Sequence, residues 1–240
     1  MSANTPNAAM SVLAIGGSMM EGDRFAPITV PTMREHYAGR RSIALVLHAT
    51  HPDERDAMER CLQAAFRALG DHDAVSLHHF AVGEAARRLA AVDAVFVGGG
   101  ETFWLLRVLH ETGQLDLLRE RVAAGLVYGG SSAGANVTGE VIGATNDFPV
   151  TDVPSRRALG VLPFVLNPHH PRPEDETAYA ERAVKIARYL QFNPTERLLA
   201  LGDRAMVRLH GGQLTVKVGP AWVCDAVGRR AYAPGEVIAR

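Results

Sequence analysis

The sequence predicts an α/β fold: a largely parallel sheet with helices on both faces, a nucleophile elbow, and antiparallel strands at the C-terminal edge. Three observations predict it. Short apolar runs alternate with segments of helical period through the first half of the chain. One run, Leu126 to Tyr128, meets the pentapeptide Gly130-Ser131-Ser132-Ala133-Gly134 and then small residues, the order strand, sharp turn, helix. Beyond Leu198, short runs are separated by Gly. With 240 residues, the chain suits one large domain, 1–240, better than two small ones.

The elements follow in order. Residues 1–10 read as a loose tail. Ser11 to Ile15 and Ile43 to Leu47 are short apolar runs, as buried parallel strands are. Residues 53–69 read as a helix: Pro52 suits its first turn, Met58, Leu62, Ala65 and Leu69 form the stripe, and Gly70 ends it. A strand near Ala74 to Phe80 precedes a helix near Glu84 to Ala91 and a strand at Ala94 to Val97. Gly98-Gly99-Gly100 closes that strand and opens a helix through about Leu109. A helix near 115–124 leads into the Ser132 strand. Residues 141–173 are rich in Pro and turn residues without a period, and long irregular stretches in compact domains are often functional. Residues 174–190 read as a helix with Tyr179, Ala183, Ile186 and Leu190 on one face. Ala205 to Leu209, Leu214 to Val218 and Ala221 to Cys224 read as antiparallel strands closing one sheet edge. No internal repeat or linker interrupts this order.

Composition narrows the function classes. Hydrophobic residues make up 47% and charged residues 21%, which fits a packed core. The net charge is −1 and the Arg pairs are scattered, so neither a nucleic-acid nor a membrane surface is expected. Residues 1–10 lack the basic segment and apolar core of a signal peptide. Cys61 and Cys224, the two cysteines, read as free thiols with no Cys-based metal spacing. A cytoplasmic protein is the expectation, and homo-oligomerisation stays open.

The pentapeptide carries the chemistry. Its central Ser132 needs small neighbours because the turn is strained, and the strain presents the hydroxyl beside backbone N–H groups that stabilise an oxyanion. Ser131 does not fit the spacing, since Ala133 stands two positions after it; it reads as a turn residue near the site. A nucleophilic Ser needs a base and an acid to orient that base. Of ten His, the pair His169 and His170 stands out, after Leu166-Asn167-Pro168 at the end of an apolar run. If that run is a parallel strand, its end lies at the same sheet edge as Ser132. Spacing alone does not separate His169 from His170. Surface or packing roles are expected for His36, His48, His51, His72, His78, His79, His110 and His210. For the acid, Asp147, Asp152, Asp203, Glu101 and Glu140 stay open. Ala133 and the Gly99-Gly100 turn would donate the oxyanion hydrogen bonds.

Three segments then resemble peptidase E, the aspartyl dipeptidase family of serine peptidases. They are Val97-Gly98-Gly99-Gly100-Glu101-Thr102-Phe103, the elbow from Tyr128 through Asn136, and Thr145-Asn146-Asp147-Phe148-Pro149 through Ala158-Leu159-Gly160 to Leu166-Asn167-Pro168-His169. Their order and spacing are far more specific than the pentapeptide alone. The resemblance is strongest over residues 93–170. It implies Ser132 as nucleophile, His169 as general base and Asp147 as orienting acid, with Asp203 in Leu201-Gly202-Asp203 as the competing acid. Asp147 gives the chain order Ser, Asp, His. It further implies a small peptide substrate, no metal and no organic cofactor.

Three departures from the family pattern bear on substrate choice. Glu101 follows the Gly triplet where the family has Asn; its carboxylate suits a substrate ammonium and repels an Asp side chain. As a plain structural residue, Glu101 would interact with a helix N-terminus. His170 follows the catalytic His where the family has an aromatic residue. Glu176-Thr177 is followed by Ala178 where the family carries an Arg implicated in binding the substrate carboxylate; Arg172 and Arg182 are the available substitutes. The expectation is a serine exopeptidase acting on dipeptides or short peptides, without strict Asp-X specificity. A cyanophycinase-like peptidase, an esterase, or a non-catalytic binding protein are the alternatives.

Overall fold

The computed structural model describes residues 10–239. The expected tail therefore falls outside the described residues except for Met10, which packs against the core. The chain runs through β1 (Ser11–Ile15), β2 (Met20–Glu21), β3 (Arg24–Phe25), α1 (Val30–His36), β4 (Ser42–Val46), α2 (Arg55–Leu69), β5 (Asp73–Ser76), α3 (Val82–Ala91) and β6 (Ala94–Val97). It continues through α4 (Thr102–Glu111), α5 (Gln114–Ala123), β7 (Val127–Ser131), α6 (Ala133–Asn136), β8 (Val165–Asn167), α7 (Glu176–Phe192) and β9 (Leu198–Leu201). The last strands are β10 (Met206–His210), β11 (Gln213–Val218), β12 (Ala221–Cys224), β13 (Arg229–Tyr232) and β14 (Val237–Ile238).

The main sheet has eight strands in the order β14-β11-β10-β1-β7-β6-β4-β5. The five strands from β1 to β5 along that order pair in parallel, and β10, β11 and β14 pair antiparallel at the other edge. Alternate residues of each strand face opposite sides. Val12, Ala14, Val95 and Val97 pack toward α3, α4 and α5 through Leu89, Leu106 and Leu118. Leu13, Ile15, Leu45 and Phe96 pack toward α1 and α2 through Met33, Leu62 and Phe66. The α/β class with helices on both faces is thus the observed one. The parallel strands all end at one edge, where β1, β4, β6 and β7 each release a loop.

A second sheet, in the order β13-β12-β9-β8, corrects two sequence expectations. The run Ala221–Cys224 does not close the main sheet; it pairs with β9 and β13. The run before His169 is a parallel strand, but its neighbour is β9 and not the Ser132 strand. A fully buried run looks the same in either sheet, so local pattern does not report sheet membership. Ile186 and Leu190 of α7 cover this sheet against Val165, Leu198 and Trp222. The expected strand from Ala74 to Phe80 stops at Ser76 and turns into a 3-10 segment, Leu77–His79. Helix α1 went unread because it is one seven-residue stretch with a Pro in its first turn, too short to show a period.

Candidate active site

Ser132 follows β7 with φ 53° and ψ −109°, a conformation that L-residues rarely hold. The glycines of the pentapeptide make it possible by removing side chains. A Cβ on Gly130 would lie 2.3 Å from the Gly134 carbonyl oxygen, and a Cβ on Gly134 would lie 2.2 Å from that of Val97. The turn is pinned where Ser132 N–H donates to the Ile15 carbonyl at 2.9 Å. Ser131 is the last residue of β7, buried and in register with Ile15.

His169 also has a positive φ, 53°. Its Nε2 lies 2.8 Å from Ser132 Oγ and its Nδ1 lies 2.6 Å from Asp203 Oδ1. A carboxylate only accepts, so in the neutral ring Nδ1 carries the proton and Nε2 offers its lone pair to the Ser132 hydroxyl. The geometry follows from the second sheet. β8 and β9 are parallel neighbours, with Asn167 opposite Ala200, so their carboxyl ends lie side by side. His169 comes two residues after β8 and Asp203 two residues after β9. The end of β1 joins both to the elbow: His169 N–H donates to the Gly16 carbonyl, and Arg204 N–H to the Gly17 carbonyl.

Asp147 is not in this chain of hydrogen bonds. Its carboxylate accepts from the Thr102 N–H at 2.9 Å, at the start of α4, where an orphan helix donor needs an acceptor. The expected order Ser, Asp, His therefore gives way to Ser132, His169, Asp203. The segment around Asp147 still serves the site. Asn146 Nδ2 donates to the Pro168 carbonyl at 2.8 Å, and Asn167 Nδ2 donates to the Ala144 carbonyl at 2.6 Å. These two bonds hold the loop that presents His169. Arg182 of α7 adds a bond to Asn167 Oδ1 at 3.0 Å.

His170 turns the other way. It is 2% exposed and stacks on Trp222, with ring centroids 4.7 Å apart. Nδ1–H donates to the Pro171 carbonyl, and burial lowers its pKa to about 4. It packs the second sheet instead of contacting the Ser132 hydroxyl, which separates the two adjacent histidines by burial where spacing did not. Arg172 is exposed.

Ala133 opens α6, where its N–H has no intrahelical acceptor. The Gly99 backbone lies against Ser132: a Cβ there would be 3.7 Å from Ser132 Oγ. Gly99 and Gly100 continue into a cleft of about 710 Å³, whose walls include His51, Pro52, Glu54, Met58, Glu101 and Trp104. Glu101 is exposed at the N-terminus of α4, and its side chain makes no capping bond there. Gly16 and Gly17 are site residues that the sequence reading passed over. A Cβ on Gly17 would lie 2.1 Å from His169 Cε1, so its bare backbone leaves the space the imidazole fills. The signal was a Gly pair at the end of the first apolar run, the counterpart of the Gly triplet after β6. Among the described residues, no helix is long and apolar enough to cross a membrane.

Comparison with known proteins agrees with this arrangement. The model of peptidase family S51 matches residues 12–217. Peptidase E of Haemophilus influenzae (strain Rd) is 32% identical over 226 residues, covering 92% of this chain and 97% of that protein. Peptidase E of Pasteurella multocida (strain Pm70) is 32% identical over 209 residues, covering 86% of this chain and 88% of that one. In fold, the chain is similar to a crystallised peptidase from an acI-B1 Actinobacterium, with a TM-score of 0.72 at 16% identity over 96% of this chain and 97% of that one.

Proposed function

The chain belongs to peptidase family S51, a family of serine peptidases, and from that premise we propose an exopeptidase that hydrolyses dipeptides or short peptides through an acyl-enzyme. The reading rests on one observation, the hydrogen-bonded chain from Ser132 through His169 to Asp203. In this mechanism Ser132 Oγ attacks the scissile carbonyl carbon while His169 Nε2 takes its proton. The Asp203 carboxylate holds Nδ1–H and stabilises the imidazolium. The N–H of Ala133 and of the Gly99-Gly100 turn bind the oxyanion. His169 then gives its proton to the leaving amine, and the ester at Ser132 forms as the peptide bond breaks. A water deprotonated by His169 hydrolyses the ester and frees Ser132.

The cleft supports a preference for a free amino terminus. Glu54 and Glu101 bring two carboxylates to walls otherwise formed largely by Pro52, Met58, Trp104 and Val150. That combination attracts a substrate ammonium, accommodates an apolar side chain and disfavours an acidic one. Ala178 offers no guanidinium, and Arg182 is engaged with Asn167. Strict Asp-X specificity is therefore not part of the proposal. A cytoplasmic location is, and the two free cysteines fit it.

Hydrolysis of a panel of Asp-X, Gly-X, Ala-X and Leu-X dipeptides, with N-acetylated controls, tests this reading. The expected result is cleavage of Leu-X and Ala-X above Asp-X, loss on N-acetylation, and a fall in kcat of at least ~10⁴-fold in Ser132→Ala. Absence of any Ser132-dependent peptide cleavage would overturn it.

A further inference from the structure

Four side chains away from the Ser132 site converge on one point. Asp56 and Glu59 lie one turn apart on α2, and His78 and His79 lie in the 3-10 segment after β5. Their four ligand atoms all lie within 4.8 Å of one another. His79 Nε2 is 2.5 Å from Glu59 Oε2, and His78 Nε2 is 2.8 Å from Asp56 Oδ1. The sequence gave these histidines only surface or packing roles, because the two pairs are some twenty positions apart and meet only when α2 packs on β5.

The surroundings orient each ligand inward. Ser76 Oγ–H donates to the Leu45 carbonyl, so the Ser76 oxygen accepts from His78 Nδ1–H at 2.6 Å. That fixes the tautomer, and His78 Nε2 then presents a lone pair toward the Asp56 carboxylate. Two acceptors facing each other require a positive charge between them. Glu59 is 6% exposed, and its other oxygen, Oε1, is occupied by the Ser76 N–H at 2.8 Å and by Gln63 Nε2 at 3.2 Å. Its Oε2 is left to the cluster. Two imidazole nitrogens and two carboxylate oxygens, each held by an outer hydrogen bond or by burial, form a donor set for zinc-type ions.

We propose that Asp56, Glu59, His78 and His79 bind one divalent transition-metal ion, with Zn²⁺ as the preferred probe, in a structural site that ties α2 to the turn after β5. Tetrahedral coordination separates neighbouring ligand atoms by about 3.3 Å, so small rotamer adjustments convert the present pairs into ligands. The site is independent of the peptidase chemistry. It bears on the cleft because Met58, a cleft wall, stands between Asp56 and Glu59 on the same helix.

Calorimetric titration of the chelator-dialysed full chain with Zn²⁺ tests this, alongside the exposed-site variants His79→Ala and Asp56→Asn and the control His210→Ala. The expected result is one equivalent bound with submicromolar Kd, weakened at least ~10-fold in each cluster variant and unchanged in the control. At hundredfold excess over Kd, Tm should rise by about 5–10 °C in the parent chain. Absence of stoichiometric binding, or binding equally tight in both cluster variants, would overturn the site and mean that a proton alone fills it. Because Asp56 is exposed, Asp56→Asn keeps the test valid even if His79→Ala is unstable.

Discussion

At the scale of single residues, the central question is which carboxylate holds the imidazole. Asp203 touches His169 Nδ1, and Asp147 caps α4. Asp203→Asn should lower kcat/KM by ~10²–10⁴, because an amide can stabilise the wrong ring tautomer and cannot stabilise the imidazolium. Asp147→Asn should keep kcat within about tenfold and cost about 1 kcal/mol of stability through the weakened cap. Steady-state kinetics beside urea unfolding of both variants separates the two roles. Ser132 and His169 were legible in the sequence, the first from a pentapeptide with a steric rationale and the second from motif order. Asp203 stayed ambiguous because one Asp in a turn carries no distance information. It reaches His169 only through the parallel pairing of β8 with β9.

At the scale of elements, the site is a junction between two sheets. β7 of the main sheet brings Ser132, and β8 and β9 of the second bring His169 and Asp203. The Gly16-Gly17 pair after β1 lets the three loops approach. Gly17 has φ 135°, and a Cβ there would overlap the His169 ring. Gly17→Ala should therefore displace the imidazole and lower kcat/KM by at least ~100-fold, while far-UV circular dichroism stays that of the parent. Strands and helices of the first half were legible because each apolar run or stripe ends in a Gly or Pro signal. The split of the late strands was not, since β10, β11 and β12 are alike in length and burial and differ only in their partners.

At the scale of the whole molecule, buried histidines make stability depend on pH. His36 of α1 lies under the sheet, 3% exposed, with Nε2–H donating to the Tyr128 carbonyl of β7 at 2.9 Å. Its Nδ1 has no partner. Burial, with a smaller contribution from Arg208, lowers its pKa to about 3, and burial lowers that of His170 to about 4. Both folded values lie below the unfolded value near 6.5. As pH falls through 6.5, the unfolded chain takes up protons that the folded chain refuses, so stability is lost from that point downward. His36 alone contributes a loss on the order of 3 kcal/mol by pH 4. Urea midpoints should fall steadily from pH 7 to pH 4, and His36→Gln should flatten that slope.

The proposal that Ser132 forms an acyl-enzyme is tested most directly by covalent trapping. The chain would be treated with a dipeptidyl aryl phosphonate bearing a free amino terminus, and the adduct mapped by mass spectrometry. The account predicts one phosphonyl group per chain, on Ser132, with labelling slowed at least ~100-fold in His169→Ala. An unmodified chain, or a label on any other residue, would contradict it.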